Sequence, residues 1–308
     1  MLLATSLLLM TAGTRDAGGR LEFGVLIDPL PLLKAALLIH NYHLDTVVIG
    51  IGPAWSLAVE AVFYVVLPLM ALAAARAALR CRTRSGRVIV LLAPPLLLLL
   101  IGLSGKYMAG VVVPAAPGAG YGANWHSVIE RSFWAQADLF AFGMLTAVLH
   151  TEITDGRFVL PRGWRVVALA LAVAIFAPCA LSLDSGQLGY RLENTAVGLA
   201  AALLIAAVTF PGGPARGPLL QRILELPAVV MVGLISYSVF LWNDPVLRWL
   251  SEHGATHEGW AGLAWNLGLA AVVVGALSLL SYRFVELPAV RRKHRRPPMR
   301  AEQIEAAP

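Results

Sequence analysis

One apolar stretch of the chain carries three polar side chains at helical spacing. In WSLAVEAVFY, residues 55–64, the side chains of Ser56, Glu60 and Tyr64 recur every four residues and share one face of a helix. A hydroxyl, a carboxylate and a phenol side by side can bind a polar ligand and accept its proton. Inserting a carboxylate at the centre of a membrane helix costs about 2.5–3.5 kcal/mol. Glu60 should therefore face protein or a wet cavity, which makes it a candidate functional residue.

A second interpretation of these residues needs no site. Glu60 falls in the first turns of the predicted helix, where water reaches the side chain and the helix N-terminus favours an anion. Trp55 would then be an ordinary anchor at the membrane interface. The position of Glu60 alone does not decide between the two interpretations.

The composition predicts the helices that hold these residues. Of 308 residues, 58% are hydrophobic and 14% are charged, whereas a soluble domain has roughly 25% charged residues. The apolar residues fall into blocks long enough to cross about 30 Å of hydrocarbon as helices. We therefore predict an all-α fold, a polytopic transmembrane helical bundle with about eight spans. The predicted spans are residues 1–12, 55–75, 88–104, 134–150, 164–181, 193–210, 228–249 and 261–283.

The net charge of +6 lies in the connections between apolar blocks and in the C-terminal tail. That distribution is typical of membrane topology and argues against a nucleic-acid partner. The connection 76–87 is rich in arginine and the tail carries RRKHRR at 291–296, so both are predicted to be cytoplasmic. The first partner is then the lipid bilayer, and Glu60 lies near the outer face. We predict a multi-pass protein of the plasma (inner) membrane with a cytoplasmic C-terminus.

Four motifs resemble those of a known family. WSLAVEAVFYVVLP resembles the Trp-Ser-Leu-x-Val-Glu-x-x-Phe-Tyr-x-x-x-Pro signature of the membrane acyltransferase 3 family, the bacterial O-acyltransferases of lipopolysaccharide, peptidoglycan or exopolysaccharide. DLFAFGMLTAVL (138–149), ISYSVFLWNDPVL (235–247) and YRFVELP (282–288) are similar to three further family motifs, in the same order. The resemblance implies one transmembrane domain over residues 1–290, followed by a basic tail, 291–308, which we expect to be disordered.

The resemblance also implies a reaction. The family moves an acyl group, usually acetyl, from a cytoplasmic donor to a hydroxyl of a cell-surface glycan or related acceptor. Acetyl-CoA would be the co-substrate, and no bound cofactor is expected. Such chemistry needs a base for the hydroxyl and dipoles for the oxyanion. The catalytic candidate is Glu60, and the implied substrate-binding residues are Trp55, Ser56, Tyr64, Ser236, Tyr237, Trp242 and Asn243.

Arginines and histidines supply weaker candidates. Arg82, Arg84 and Arg87 could take the phosphates of the donor, although membrane topology alone explains their position. His40 lies in the short apolar segment 31–43, an expected interfacial or re-entrant piece, and could substitute as a base near Glu60. No histidine pair has a third ligand at fixed spacing, so we predict no metal site.

Two departures from the family pattern bear on activity. The family begins with an arginine and, after ten residues, a histidine taken to be catalytic, and no convincing pair of this kind is present here. We therefore expect that the first two family helices are missing and that the chain as written is inactive or impaired. Asn243 also replaces a family histidine, and an amide cannot take up a proton near neutral pH. The alternatives are a non-catalytic membrane protein of the same fold and, less favoured, a transporter.

Two other acids receive local interpretations. Asp138 opens the predicted helix 134–150, where a first-turn carboxylate is stabilised by the helix dipole. Glu286 lies at the predicted cytoplasmic end of the last span and is expected to pair with Arg283 or Arg291.

Overall fold

The computed structural model describes residues 29–48, 52–112, 122–181, 187–211 and 219–294. These residues form helices and no strand. The α-helices are α1 (Pro29–Ala36), α2 (Trp55–Arg80), α3 (Arg84–Tyr107), α4 (Trp125–Glu130), α5 (Phe133–Thr154), α6 (Trp164–Leu181), α7 (Gln187–Thr209), α8 (Leu219–Leu224), α9 (Pro227–Glu252), α10 (Gly259–Ser281) and α11 (Leu287–His294). Two 3-10 turns, His40–Tyr42 and Gly52–Ala54, precede α2, and π-helical turns follow α3 at Met108–Val112 and α10 at Tyr282–Glu286.

The helices confirm the predicted fold class. Within the described residues, six helices are long and apolar enough to cross a membrane. Helix α6, with 18 residues, is the shorter apolar helix at the predicted span 164–181. The predicted span 1–12 lies outside the described residues, so the count of about eight stays a prediction. The chain divides into two compact units, residues 1–223 and 224–308.

Helices α3 and α5 make the closest approach in the first unit. A Cβ atom built on Gly102 would lie 2.3 Å from the backbone nitrogen of Asp138, and one on Gly105 would lie 2.7 Å from the backbone of Ala135. Small residues one turn apart let helix backbones meet in this way. Helix α2 joins this pair because Phe63 stacks on Phe140 of α5, with 4.0 Å between the ring centroids.

The segment before α2 lies against the helix ends. The side-chain nitrogen of Asn41 donates to the carbonyl of Trp55 at 2.7 Å and to that of Arg131 at 2.8 Å. The guanidinium of Arg131 in turn donates to the carbonyl of Val47 at 2.8 Å. Residues 29–48 therefore cover the end of the first unit where α2 and α5 begin.

The second unit packs α9 against α10 and the π-helical turn. The hydroxyl of Ser238 donates to the carboxylate of Glu286, and the indole nitrogen of Trp242 donates to the hydroxyl of Ser281 at 2.8 Å. The predicted ion pair of Glu286 with Arg283 or Arg291 is wrong, because within the described residues this carboxylate bonds to a serine on α9 instead.

Gly102→Ala tests the close approach of α3 and α5. The added methyl group would collide with the backbone of Asp138, and overpacking of this kind costs about 1–3 kcal/mol. We expect a lower melting temperature of the purified protein in detergent. Gly143→Ala is the matched control on α5, because nothing lies within 4 Å of the added group and alanine favours helix. Equal melting temperatures for the two variants would contradict this packing.

Candidate active site

The polar face predicted on α2 is only partly enclosed. Ser56 is half-buried and its hydroxyl donates to the carbonyl of Pro53 at 3.0 Å. Glu60, one turn further along, is half-buried and has no hydrogen bond or ion pair with any described residue. Tyr64 is 66% exposed, so it does not share the environment of Glu60. Trp55 contributes its backbone carbonyl to Asn41. The structure thus brings the start of α2, at Trp55, against the segment that contains Asn41, with Glu60 further along the helix and Tyr64 outside.

A cluster of buried hydrogen-bond acceptors lies where α2 and α5 begin. The amides of Asn41 and Gln136 donate to consecutive backbone carbonyls, those of Arg131 and Glu130, each at 2.8 Å. Because each amide nitrogen is used in this way, each amide oxygen remains as an acceptor. These two oxygens and the Nδ1 atom of His40, an acceptor when the ring carries its proton on Nε2, are buried and have no hydrogen-bond partner among the described residues. Leaving such a group unsatisfied costs about 1–3 kcal/mol, so the cluster is suited to a ligand that donates hydrogen bonds.

His40 is a neutral imidazole in this setting. Burial, and then the positive charge of Arg131, lower its pKa from 6.5 to about 4. A base of such low pKa removes protons weakly near neutral pH, whereas the unprotonated ring nitrogen accepts hydrogen bonds well. The predicted role of His40 as a base stays a prediction, and its environment favours hydrogen-bond acceptance.

A second histidine lies in the same region and was missed by the sequence analysis. The Nδ1 atom of His126 on α4 lies 2.8 Å from the carbonyl of Ala109 in the π-helical turn, so Nδ1 must carry a proton. Its Nε2 atom lies 3.3 Å from the carboxylate of Glu130. With Nδ1 acting as a donor, this contact is favourable only when a proton lies between the ring and the carboxylate. The His126–Glu130 pair can therefore hold a proton and transfer it.

A buried ion pair crosses the first unit beside these residues. The ammonium of Lys106 on α3 lies 2.5 and 2.6 Å from the two carboxylate oxygens of Asp138 on α5. The hydroxyl of Thr195 on α7 donates to the same carboxylate at 2.6 Å. Asp138 lies in the second turn of α5 and is fully buried, so its interpretation as a first-turn acid is wrong. The available signal in the sequence was one charge of each sign at two apolar blocks, Lys106 just beyond 88–104 and Asp138 within 134–150, because charges in a membrane must find a partner.

The predicted residues on α9 do not form one group. Trp242 is buried and bonded to Ser281, which gives it a role in packing within the second unit. Ser236 is exposed and its hydroxyl donates to the carbonyl of Gly233 at 2.8 Å. Tyr237 and Asn243 are also exposed. Their predicted approach to Glu60 stays a prediction, because these residues belong to a different unit.

The three arginines predicted for the donor lie at the turn between α2 and α3. Thr83 caps α3 there, since its hydroxyl oxygen accepts from the backbone nitrogen of Gly86 at 3.2 Å. Arg82, Arg84 and Arg87 are exposed. Their role in binding phosphate stays a prediction.

Comparison with protein families decides the family. A family model described as an acyltransferase domain, of the acyltransferase 3 type, matches residues 17–282. The chain belongs to the membrane acyltransferase 3 family. It is therefore a multi-pass membrane acyltransferase, an enzyme that transfers groups other than aminoacyl groups. No curated protein and no solved structure matches the chain.

The low pKa of His40 predicts a loss of stability in acid. Between pH 6.5 and pH 4 the unfolded chain binds a proton at this ring that the folded acyltransferase does not. Stability is then fully present above pH 6.5 and falls as the pH drops toward 4. His40→Phe keeps the ring and removes the titration, so its melting temperature should fall less in acid than that of the unchanged protein. His43→Phe, at an exposed neighbour, is the matched control and should keep the full acid sensitivity. If His40→Phe and His43→Phe respond alike to acid, His40 is not the titrating group.

Proposed function

We propose that this acyltransferase moves an acetyl group from acetyl-CoA, on the cytoplasmic side of the cell membrane, to a hydroxyl of a cell-surface glycan or a related acceptor. The observation that carries the proposal is Glu60, a half-buried carboxylate without a partner among the described residues, inside the family signature on α2. In a membrane helix such a group is retained for a function rather than for stability. Polysaccharide O-acetylation at the cell envelope would be the result.

The acceptor hydroxyl would bind where α2 and α5 begin. Ser56 follows Trp55, whose carbonyl accepts from Asn41, and Glu60 lies one turn further along α2. The buried acceptors suit the hydroxyl groups of a sugar. His40, as a neutral imidazole, would accept a hydrogen bond there. Trp55 would hold this end of α2 through its carbonyl, and Tyr64, further along α2, would contact a more distant part of the acceptor.

The His126–Glu130 pair would act as the base that removes the proton from the acceptor hydroxyl. The Ala109 carbonyl fixes the ring, and the carboxylate stabilises the imidazolium that forms when the ring takes up a proton. In the transfer step the acceptor hydroxyl would give its proton to this pair as its oxygen attacks the thioester carbonyl. The carbon–sulfur bond would break, and the leaving coenzyme A thiolate would take up the proton from the pair. The expectation from the sequence that the 308-residue chain is inactive or impaired stays a prediction.

One observation favours a second function. Asn243 replaces the family histidine on α9, so any proton transfer at that position is lost. A non-catalytic membrane protein of the same fold would then bind the same acceptor without modifying it.

Glu60→Gln should reduce acetyl transfer about a hundredfold, because the change removes the charge-assisted hydrogen bond that the carboxylate would accept from the acceptor hydroxyl. The assay measures radiolabel from acetyl-CoA in the glycan fraction of membranes, at high protein concentration and over hours because slow turnover is expected. Glu252→Gln is the matched control, since Glu252 is exposed at the end of α9. Absence of any transfer by the unchanged chain would favour the non-catalytic alternative. Full activity of Glu60→Gln would remove Glu60 from the mechanism.

His126→Gln should also reduce kcat about a hundredfold, because glutamine keeps a donor for the Ala109 carbonyl but cannot carry the proton. His253→Gln is the matched control, since His253 is an exposed histidine that follows the last residue of α9. Glu130→Gln should also lower kcat, because it removes the carboxylate that faces the ring. An unchanged kcat in both variants would contradict the assignment of the base.

A further inference from the structure

A cavity opens at the opposite ends of the first-unit helices. Its volume is about 500 Å³, and it lies between the end of α5, the connection to α6 and the residue that follows α7. This size is within the range of about 300–1,000 Å³ that small-molecule sites occupy. Phe158, Arg162, Trp164 and Arg165 are among the lining residues.

The backbone around the cavity has a fixed shape. Helix α5 ends with the nitrogen of Gly156 bonded to the carbonyl of Ile153 at 3.0 Å and that of Arg157 bonded to the carbonyl of Glu152 at 2.9 Å. This pattern requires a left-handed residue, and Gly156 has φ +67°. Gly163, with φ +83°, makes the corresponding turn into α6. Both glycines line the cavity, so its wall is held by two defined turns.

Arg165 is held in place with a donor to spare. One terminal nitrogen of its guanidinium donates to the carbonyl of Phe210 at 2.6 Å, and the group lies 5.5 Å from the ring of Trp164. Its Nε atom is buried and has no hydrogen-bond partner within the described residues. A buried guanidinium nitrogen of this kind can donate only, so the group that satisfies it must be an acceptor.

The charge around the cavity is positive. Arg157, on the same connection, is neutralised by Glu152 and Asp155, each at 2.8 Å. Arg162 and Arg165 have no acidic partner among the described residues. A cavity that combines two uncompensated guanidinium groups with the rings of Phe158 and Trp164 fits an anion that carries an aromatic base.

We infer that this cavity binds the nucleotide end of the acyl-CoA donor, with Arg162 and Arg165 on its phosphates and the aromatic rings against its base. The inference rests on the proposed function for the identity of the donor. It differs from the assignment of donor phosphates to Arg82, Arg84 and Arg87, which do not line this cavity. A phosphate could also come from an anionic lipid headgroup. The nucleotide is favoured because a lipid headgroup offers nothing flat for the rings of Phe158 and Trp164.

The test measures binding and needs no turnover. The 308-residue protein is placed in phosphatidylcholine nanodiscs, and saturable binding of radiolabelled adenosine 3′,5′-bisphosphate is measured. Arg162→Gln should weaken binding about tenfold, the loss expected for one charge-assisted hydrogen bond. Arg165→Lys should weaken it to a similar extent, because lysine keeps the charge and loses the planar fork. Two variants are available so that a folding defect in one does not decide the result.

The chain offers two matched controls. Arg157→Gln makes the same change of charge on the same connection outside the cavity, and it should bind the bisphosphate within twofold of the unchanged protein. The combined Arg82→Gln, Arg84→Gln and Arg87→Gln variant should do the same. Loss of binding in the combined variant with retention in Arg162→Gln would overturn the inference in favour of the turn between α2 and α3.

Two further outcomes would also overturn it. One is the absence of saturable bisphosphate binding at millimolar concentration. The other is binding of phosphatidylglycerol, in nanodiscs that contain this lipid, that depends on Arg162 and Arg165, together with no binding of the bisphosphate. The cavity would then be a lipid site. Binding and acetyl transfer together distinguish a failure of this inference from a failure of the proposed function. Bisphosphate binding that depends on these arginines, without acetyl transfer, would support this inference and contradict the proposed function. Normal transfer and unchanged bisphosphate binding by Arg162→Gln would contradict this inference and support the proposed function.

Discussion

The ion pair of Lys106 and Asp138 is the constraint on which the arrangement of the first unit depends. Both groups are buried, and removing two charges from water costs several kcal/mol for each ion unless they meet at short range. They meet because Gly102 and Gly105 bring the backbones of α3 and α5 together. Thr195 supplies a further hydrogen bond from α7. Loss of one partner would leave an uncompensated charge, which costs about 3–5 kcal/mol. The register of three helices is thereby fixed.

Helix α5 carries this constraint to both ends of the unit. Its first turn places Gln136 over the carbonyl of Glu130, and the residue before it, Arg131, is bonded to Asn41 and Val47. Its last turn ends in the glycine turn that shapes the cavity lined by Arg162 and Arg165. A shift of α5 along α3 would therefore move the buried acceptors and the cationic cavity together. One buried contact near the middle of the helices positions polar groups at both of its ends.

The sequence predicted the helices well and their contacts poorly. The apolar block 134–150 lies inside Phe133–Thr154, and 228–249 lies inside Pro227–Glu252, because a run of apolar residues in lipid has few alternatives to a helix. The pairing of Asp138 with Lys106 depends on how closely helices α3 and α5 approach each other. The spacing of residues along one helix does not predict that distance. Trp242 matched a family motif and was assigned to the substrate, whereas its indole bonds to Ser281. A sequence motif specifies the residue type at a position but does not specify which residue its side chain contacts.

The sequence also does not distinguish exposed arginines from arginines that line a cavity. Counting positive residues in the connections predicts which side of the membrane they occupy, and by that count Arg82 and Arg165 are equivalent. The structure separates them, because Arg82 is exposed at a turn, whereas Arg165 is bound to a carbonyl and keeps one buried donor without a partner in the described part of the chain. The opposite end of the unit has the complementary chemistry, since its unsatisfied atoms are neutral acceptors. A hydroxyl donates to such acceptors and a phosphate cannot, whereas a guanidinium attracts the phosphate more strongly than the hydroxyl. Two substrates of opposite polar character would therefore sort to opposite ends of the helices, and only the acyl group would need to pass between them.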